Sequence, residues 1–166
     1  MQVLIAQAMI ATISVAGGAL IALAVERWRG RRSERLTEVG ALRLLIVEIA
    51  ARRALAHDFT SPPLTLDRAD PSSDLNSAVR SIRLLRKDVR AARAELRAAS
   101  SAWGELDEMV AACNVFIEAT EAHPQDLAVE VDRLRSRLEA AVRGLVALYP
   151  GALELRLPGS MAYASR

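Results

Sequence analysis

"LNSAVRSIRLLRKDVRAARAEL", residues 75–96, decides the fold. Leu75, Ala78, Ile82, Leu85, Val89, Ala92 and Leu96 follow one another at spacings of 3, 4, 3, 4, 3, 4. That alternation keeps one face of an α-helix apolar over three heptads, so the stretch predicts a helix that buries a seam. Downstream the same register continues through Ala99, Trp103, Leu106, Val110, Cys113 and Ile117, with Ser100, Ser101 and Gly104 predicting a bend or a break into two helices. A last helix is expected after "HPQD" (123–126). It carries Leu127, Val131, Leu134, Leu138, Ala141, Leu145 and Leu148 and is stopped by Pro150 and Gly151. Residues 75–149 therefore read as a helical domain, and residues 150–166 as a tail that frays.

Upstream, residues 26–57 hold a basic helix whose apolar face is Leu42, Leu45, Ile46, Ile49 and Ala50. Residues 58–74, "DFTSPPLTLDRADPSSD", carry three prolines among Ser, Thr and Asp and form a loop long enough for the chain to reverse. The composition agrees with an all-α fold: 52% of residues are apolar but only 4% aromatic, and Ala, Leu, Arg and Glu dominate. Arginine supplies 21 of the 22 basic residues, which with the abundant alanine points to a GC-rich bacterial genome. Three or four amphipathic helices with such seams pack as a bundle within one chain or as a coiled coil between chains. The spacing alone is compatible with both.

Residues 3–25, "VLIAQAMIATISVAGGALIALAV", contain no charge. As a helix, 23 residues span about 34 Å, enough for a hydrocarbon core of about 30 Å. A cleaved signal peptide would carry its positive charge before a shorter apolar run. Here only Met1 and Gln2 precede the run and the arginines follow it. The expectation is one transmembrane helix. Arg27, Trp28, Arg29, Arg31 and Arg32 would lie at the membrane interface, the N-terminus outside and the rest in the cytoplasm of a bacterial inner membrane. Gln7, Ala11, Ser14, Gly18 and Ala22 lie along a small-residue face on which such helices can pack.

The charges are segregated. Arg80, Arg83, Arg86, Lys87, Arg90, Arg93 and Arg97 make a basic stripe on the heptad helix. Residues 98–132 hold 8 acidic side chains and no Lys or Arg, among them Glu105, Asp107, Glu108, Glu118 and Glu121. Pairing between these neighbouring helices accounts for the stripe without any ligand. Anionic lipid headgroups are a second use for it. Nucleic acid is a third, and a net charge of +2 with few aromatic residues weighs against it.

Catalytic chemistry finds little support. His57 and His123 lie at helix ends with no nucleophile at a recognisable spacing, and Cys113 sits on an apolar seam as a small buried thiol. Glu118, Glu121 and His123 do not make the paired Glu-x-x-His pattern of a di-metal bundle, and no phosphate-binding loop, dinucleotide fingerprint or zinc spacing occurs. No enzyme, cofactor or metal is expected. The expected role is a single-pass membrane protein whose cytoplasmic helices assemble with themselves or a partner through the seams. The alternative is a membrane-perturbing or pore-forming oligomer of the phage-lysis type.

Overall fold

The computed structural model of the chain describes residues 33–60 and 63–163. The chain divides into two compact units, Met1–Thr37 and Glu38–Arg166. In the first, residues 33–37 are helical and exposed, and the Thr37 hydroxyl donates to the carbonyl of Ser33 at 3.2 Å. The uncharged run 3–25, its small-residue face and the arginines of residues 27–32 lie outside the described residues. Among the described residues no helix is long and apolar enough to cross a membrane.

The described residues are all-helical, with four α-helices and no strand. α1 is described over residues 33–51 and is followed by two short 3-10 turns, Arg53–Leu55 and His57–Thr60. α2 spans Asp74–Ala94, α3 Trp103–Ala122 and α4 Leu127–Leu148. At the start of α2 the Ser73 hydroxyl accepts from the Asn76 N–H at 3.3 Å, and Asp74 in the first turn complements the positive end of the helix. The preceding loop is organised by its own side chains. Asp74 accepts from the N–H and hydroxyl of Thr65 at 2.9 Å each, and the Asn76 amide donates to the carbonyls of Asp67, Arg68 and Asp70.

Each helix of the Glu38–Arg166 unit runs antiparallel to its neighbours. Arg52 meets Asp88 while Glu38 meets Arg97, so α1 and α2 run in opposite directions. Arg83 with Glu121 and Arg93 with Asp107 give the same sense for α2 and α3. Arg137 donates to Glu108 between α3 and α4. Tyr149 reaches Glu38, and Arg135 reaches the carbonyls of Leu55 and Ala56, which closes α4 onto the first helical segment. The result is an up-down-up-down four-helix bundle within one chain.

All seven residues of the α2 seam are buried in the core of this bundle, as are Leu42, Leu45, Ile46, Ile49 and Ala50 of α1. The seams therefore face the chain's own interior, and the basic helix expected as a separate element is one of the four walls. Three expectations need correction. The α2 register passes into α3 only in part: Leu106, Cys113 and Ile117 are buried as expected, but Ala99 is exposed, Trp103 and Val110 are only half-buried, and Met109, Ala112, Phe116 and Thr120 join the core side. The chain turns a corner at residues 95–102, which shifts the buried side of the next helix by about one position. The α-helix expected up to residue 57 ends at residue 51, where the backbone tightens into 3-10 turns.

The tail also differs from expectation, since it docks instead of fraying. α1 ends with carbonyls that have no partner inside the helix, and two of them are met from the tail. The N–H of Gly159 donates to Ile49 at 3.1 Å and that of Met161 to Ala50 at 2.8 Å. Leu153, Pro158 and Gly159 are buried. Gly159 has φ +72°, and a Cβ there would collide with the backbone of Leu55 and Ala56, so only glycine fits this crossing.

Candidate functional site

The most constrained polar group in the bundle is Glu38, which is 0% exposed. It lies four residues before Leu42 on the apolar face of α1, so the fold carries a carboxylate into the core. Ser100 stands four residues after Leu96, and Tyr149 four after Leu145, at the same end of the bundle. There the side chains converge. Arg97 Nε donates to Glu38 Oε2, and the hydroxyls of Ser100 and Tyr149 donate to Oε1. The Ser100 and Tyr149 oxygens are 3.1 Å apart, and Ser100 also accepts from the N–H of Ala102 as α3 begins. Trp103 Nε1 donates to the Arg97 carbonyl at 3.1 Å and holds the connection from the other side.

The electrostatics of this cluster are decided by competition. Burial pushes the Glu38 carboxyl up, but the hydrogen bonds from Ser100, Tyr149 and Arg97 and the Arg97 charge outweigh it, and the group titrates below its ordinary value. Burial raises the Tyr149 phenol, and its hydrogen bond to Glu38 raises it further, so Tyr149 stays a donor at neutral pH. An enclosed carboxylate saturated by three donors presents no face to a substrate. Its chemistry is that of a clamp joining α1, the α2–α3 connection and the end of α4.

The basic stripe of α2 divides into several environments. Arg83 pairs with Glu121 at 2.7 Å and Arg93 with Asp107 at 3.1 Å, the Arg93 guanidinium also lying 5.0 Å from the centre of the Trp103 ring. Arg80 donates to the carbonyl of Pro71, Arg86 to Asn114, and Arg97 belongs to the Glu38 clamp. Lys87 and Arg90 are exposed and make no ion pair among the described residues. On the acidic side, Glu108 turns to Arg137 of α4, and the Glu105 carboxylate lies over Gly144, where any side chain would collide with it. Glu118 is exposed and likewise makes no ion pair among the described residues.

Cys113 is fully buried, and burial pushes its thiol up to about 12. His57 and His123 are exposed. Among the described residues no group of three His, Cys, Asp or Glu side chains is placed to hold a metal ion.

A shallow groove of about 440 Å³ runs between α1 and α2. Its apolar floor is Ala41, Leu44, Leu45, Ala91 and Ala92, and Glu48, Asp88 and Glu95 stand on its rim. Arg52 bonds Asp88 through Nη2 and lies 3.9 Å from Glu48, while its buried Nε has no hydrogen-bond partner among the described residues.

The sequence reading missed Glu38, Ser100, Tyr149 and Arg52. For the first three the available signal was a polar residue at a seam position, repeated on three segments at one end of the bundle. For Arg52 no signal existed, because its partner Asp88 lies 36 residues away across a loop. No protein-family model matches the chain, and neither a curated protein nor a solved structure matches it.

Proposed function

We propose that the chain is a single-pass, membrane-anchored protein whose helical domain mediates protein–protein assembly on the cytoplasmic side. One observation carries the reading: 23 uncharged residues, 3–25, followed within ten positions by Arg27, Arg29, Arg31, Arg32 and Arg35. An apolar run of that length spans a bilayer as a helix, and arginines crowded at one end hold that end on the cytoplasmic face. The bundle supports the assembly part of the reading. Its polar core cluster is a sealed clamp, and its surface carries the α1–α2 groove with exposed Leu44 beside it and exposed Leu84 on α2. Because the heptad seams are occupied inside the chain, assembly uses these outer edges.

The test is extraction of membranes from cells producing the full chain. Alkaline carbonate strips peripheral proteins and leaves spanning ones. The chain is expected to stay in the pellet until detergent is added, and release by carbonate alone contradicts the reading.

A further inference from the structure

We propose that the α2 edge centred on Ala91 joins two copies of the chain, antiparallel, across a two-fold axis. The proposal rests on the reading of the helical domain as an assembly module and names its surface and its partner.

Leu84, Asp88, Ala91 and Glu95 fall at i, i+4, i+7 and i+11 and form the α2 edge that turns toward α1. Ala91 is exposed and lines the groove beside Leu44, which is 62% exposed, and Leu84 is 48% exposed. Leu44 on the groove and exposed Leu84 on α2 offer apolar area to a contact. The charge pattern selects the occupant. Lys87 stands four residues before Ala91 and Glu95 four residues after it. Both are exposed, and neither is ion-paired among the described residues.

An antiparallel copy rotated about an axis at Ala91 therefore sets Lys87 opposite the second copy's Glu95, and Glu95 opposite the second copy's Lys87. One surface patch is complementary to itself, as a two-fold contact requires. The small Ala91 side chain at the axis lets the helices approach within the usual 8–10 Å, roughly one helix diameter. Exposed ion pairs contribute little energy, so Leu44 and Leu84 supply the apolar burial and the Lys87–Glu95 pairs set direction and register.

The experiment uses the full chain in detergent, carrying Ala91→Cys and treated with a short bis-maleimide. The expected product is a linked species of two-chain mass, with little from Ser136→Cys on the exposed side of α4. Lys87→Glu and Glu95→Lys are each expected to cut the yield about fivefold, and the double variant to restore it because the pairs re-form reversed. Linkage at Ala91→Cys no greater than at Ser136→Cys, or single reversals without effect, overturns the proposal. So does a product heavier than one chain but different from two, which would place another protein on the edge. Light scattering of the same sample separates the two levels. A two-chain mass without linkage at Ala91→Cys overturns this surface alone, whereas a one-chain mass at every concentration overturns self-assembly as well.

Discussion

The Tyr149 hydroxyl donates to Glu38 Oε1 at 2.5 Å, joining the C-cap of α4 to a residue of α1 that lies 111 positions earlier in the chain. Ser100 and Arg97 reach the same carboxylate from the α2–α3 connection, so a single buried charge ties three segments together. Such a cluster stabilises only while every member is satisfied; removing the acceptor strands the donors around it. Glu38→Ala is expected to cost about 3 kcal/mol in chemical denaturation. Glu38→Gln, which keeps the shape and part of the hydrogen bonding, should cost less. A loss under about 0.5 kcal/mol for both would show that the cluster is not a clamp.

The same carboxylate makes stability depend on acid. Glu38 titrates below its ordinary 4.5 in the folded chain, so on acidification the unfolded chain takes up the proton first. Its contribution is complete above about pH 4.5 and is lost as pH falls through the lower folded value. Asp74, held low by its hydrogen bonds from Thr65, and Asp70, held low by Ser72, act in the same direction. The urea midpoint should hold nearly level from neutral pH to about pH 5 and then fall. In Glu38→Gln the fall should be shallower. A midpoint that rises on acidification contradicts the assignment.

Two glycines with similar backbones should respond differently to alanine. Gly151 has φ +73° and open space around its missing Cβ, so Gly151→Ala pays only the left-handed backbone penalty of about 1–2 kcal/mol. Gly159 has φ +72° and lies against the backbone of Leu55, so Gly159→Ala should cost clearly more and release the tail from α1. Hydrogen exchange reads the second effect: the N–H groups of Gly159 and Met161 should lose protection in Gly159→Ala but keep it in Gly151→Ala. Equal losses in both variants count against the docked tail.

Cys113 offers a probe of the core. With its thiol buried and pushed up to about 12, it carries almost no thiolate near neutral pH. Alkylation of the native chain should be at least about 100-fold slower than in denaturant and should follow global unfolding. Fast native labelling would mean that the core opens locally around α3.

The helices were legible in the sequence wherever an apolar seam ran unbroken, as in α2, where every seam residue is buried. Legibility failed at corners. The break at Ser100 and Ser101 was legible, but not the shift of phase that goes with it: Leu106, Cys113 and Ile117 keep their expected burial, while Met109 and Phe116 join the core side and Val110 and Trp103 are only half-buried. Legibility failed again for contacts set by tertiary closure. Nothing local to Gly159 or Arg135 announces that they serve the carbonyls of Ile49, Leu55 and Ala56, because those partners are about 80 residues or more away. Glu38 was an intermediate case: its seam position was visible, but its donors came from other segments.

The most direct test of the account joins the anchor to the bundle. Ser136→Cys places a reactive thiol on the exposed face of α4, against the silent background of buried Cys113. Intact bacterial cells producing this full-length variant are treated with a membrane-impermeant maleimide, before and after permeabilisation. The account predicts labelling only after permeabilisation, with the labelled chain in the membrane fraction. Labelling in intact cells, or a labelled chain in the soluble fraction, would contradict it.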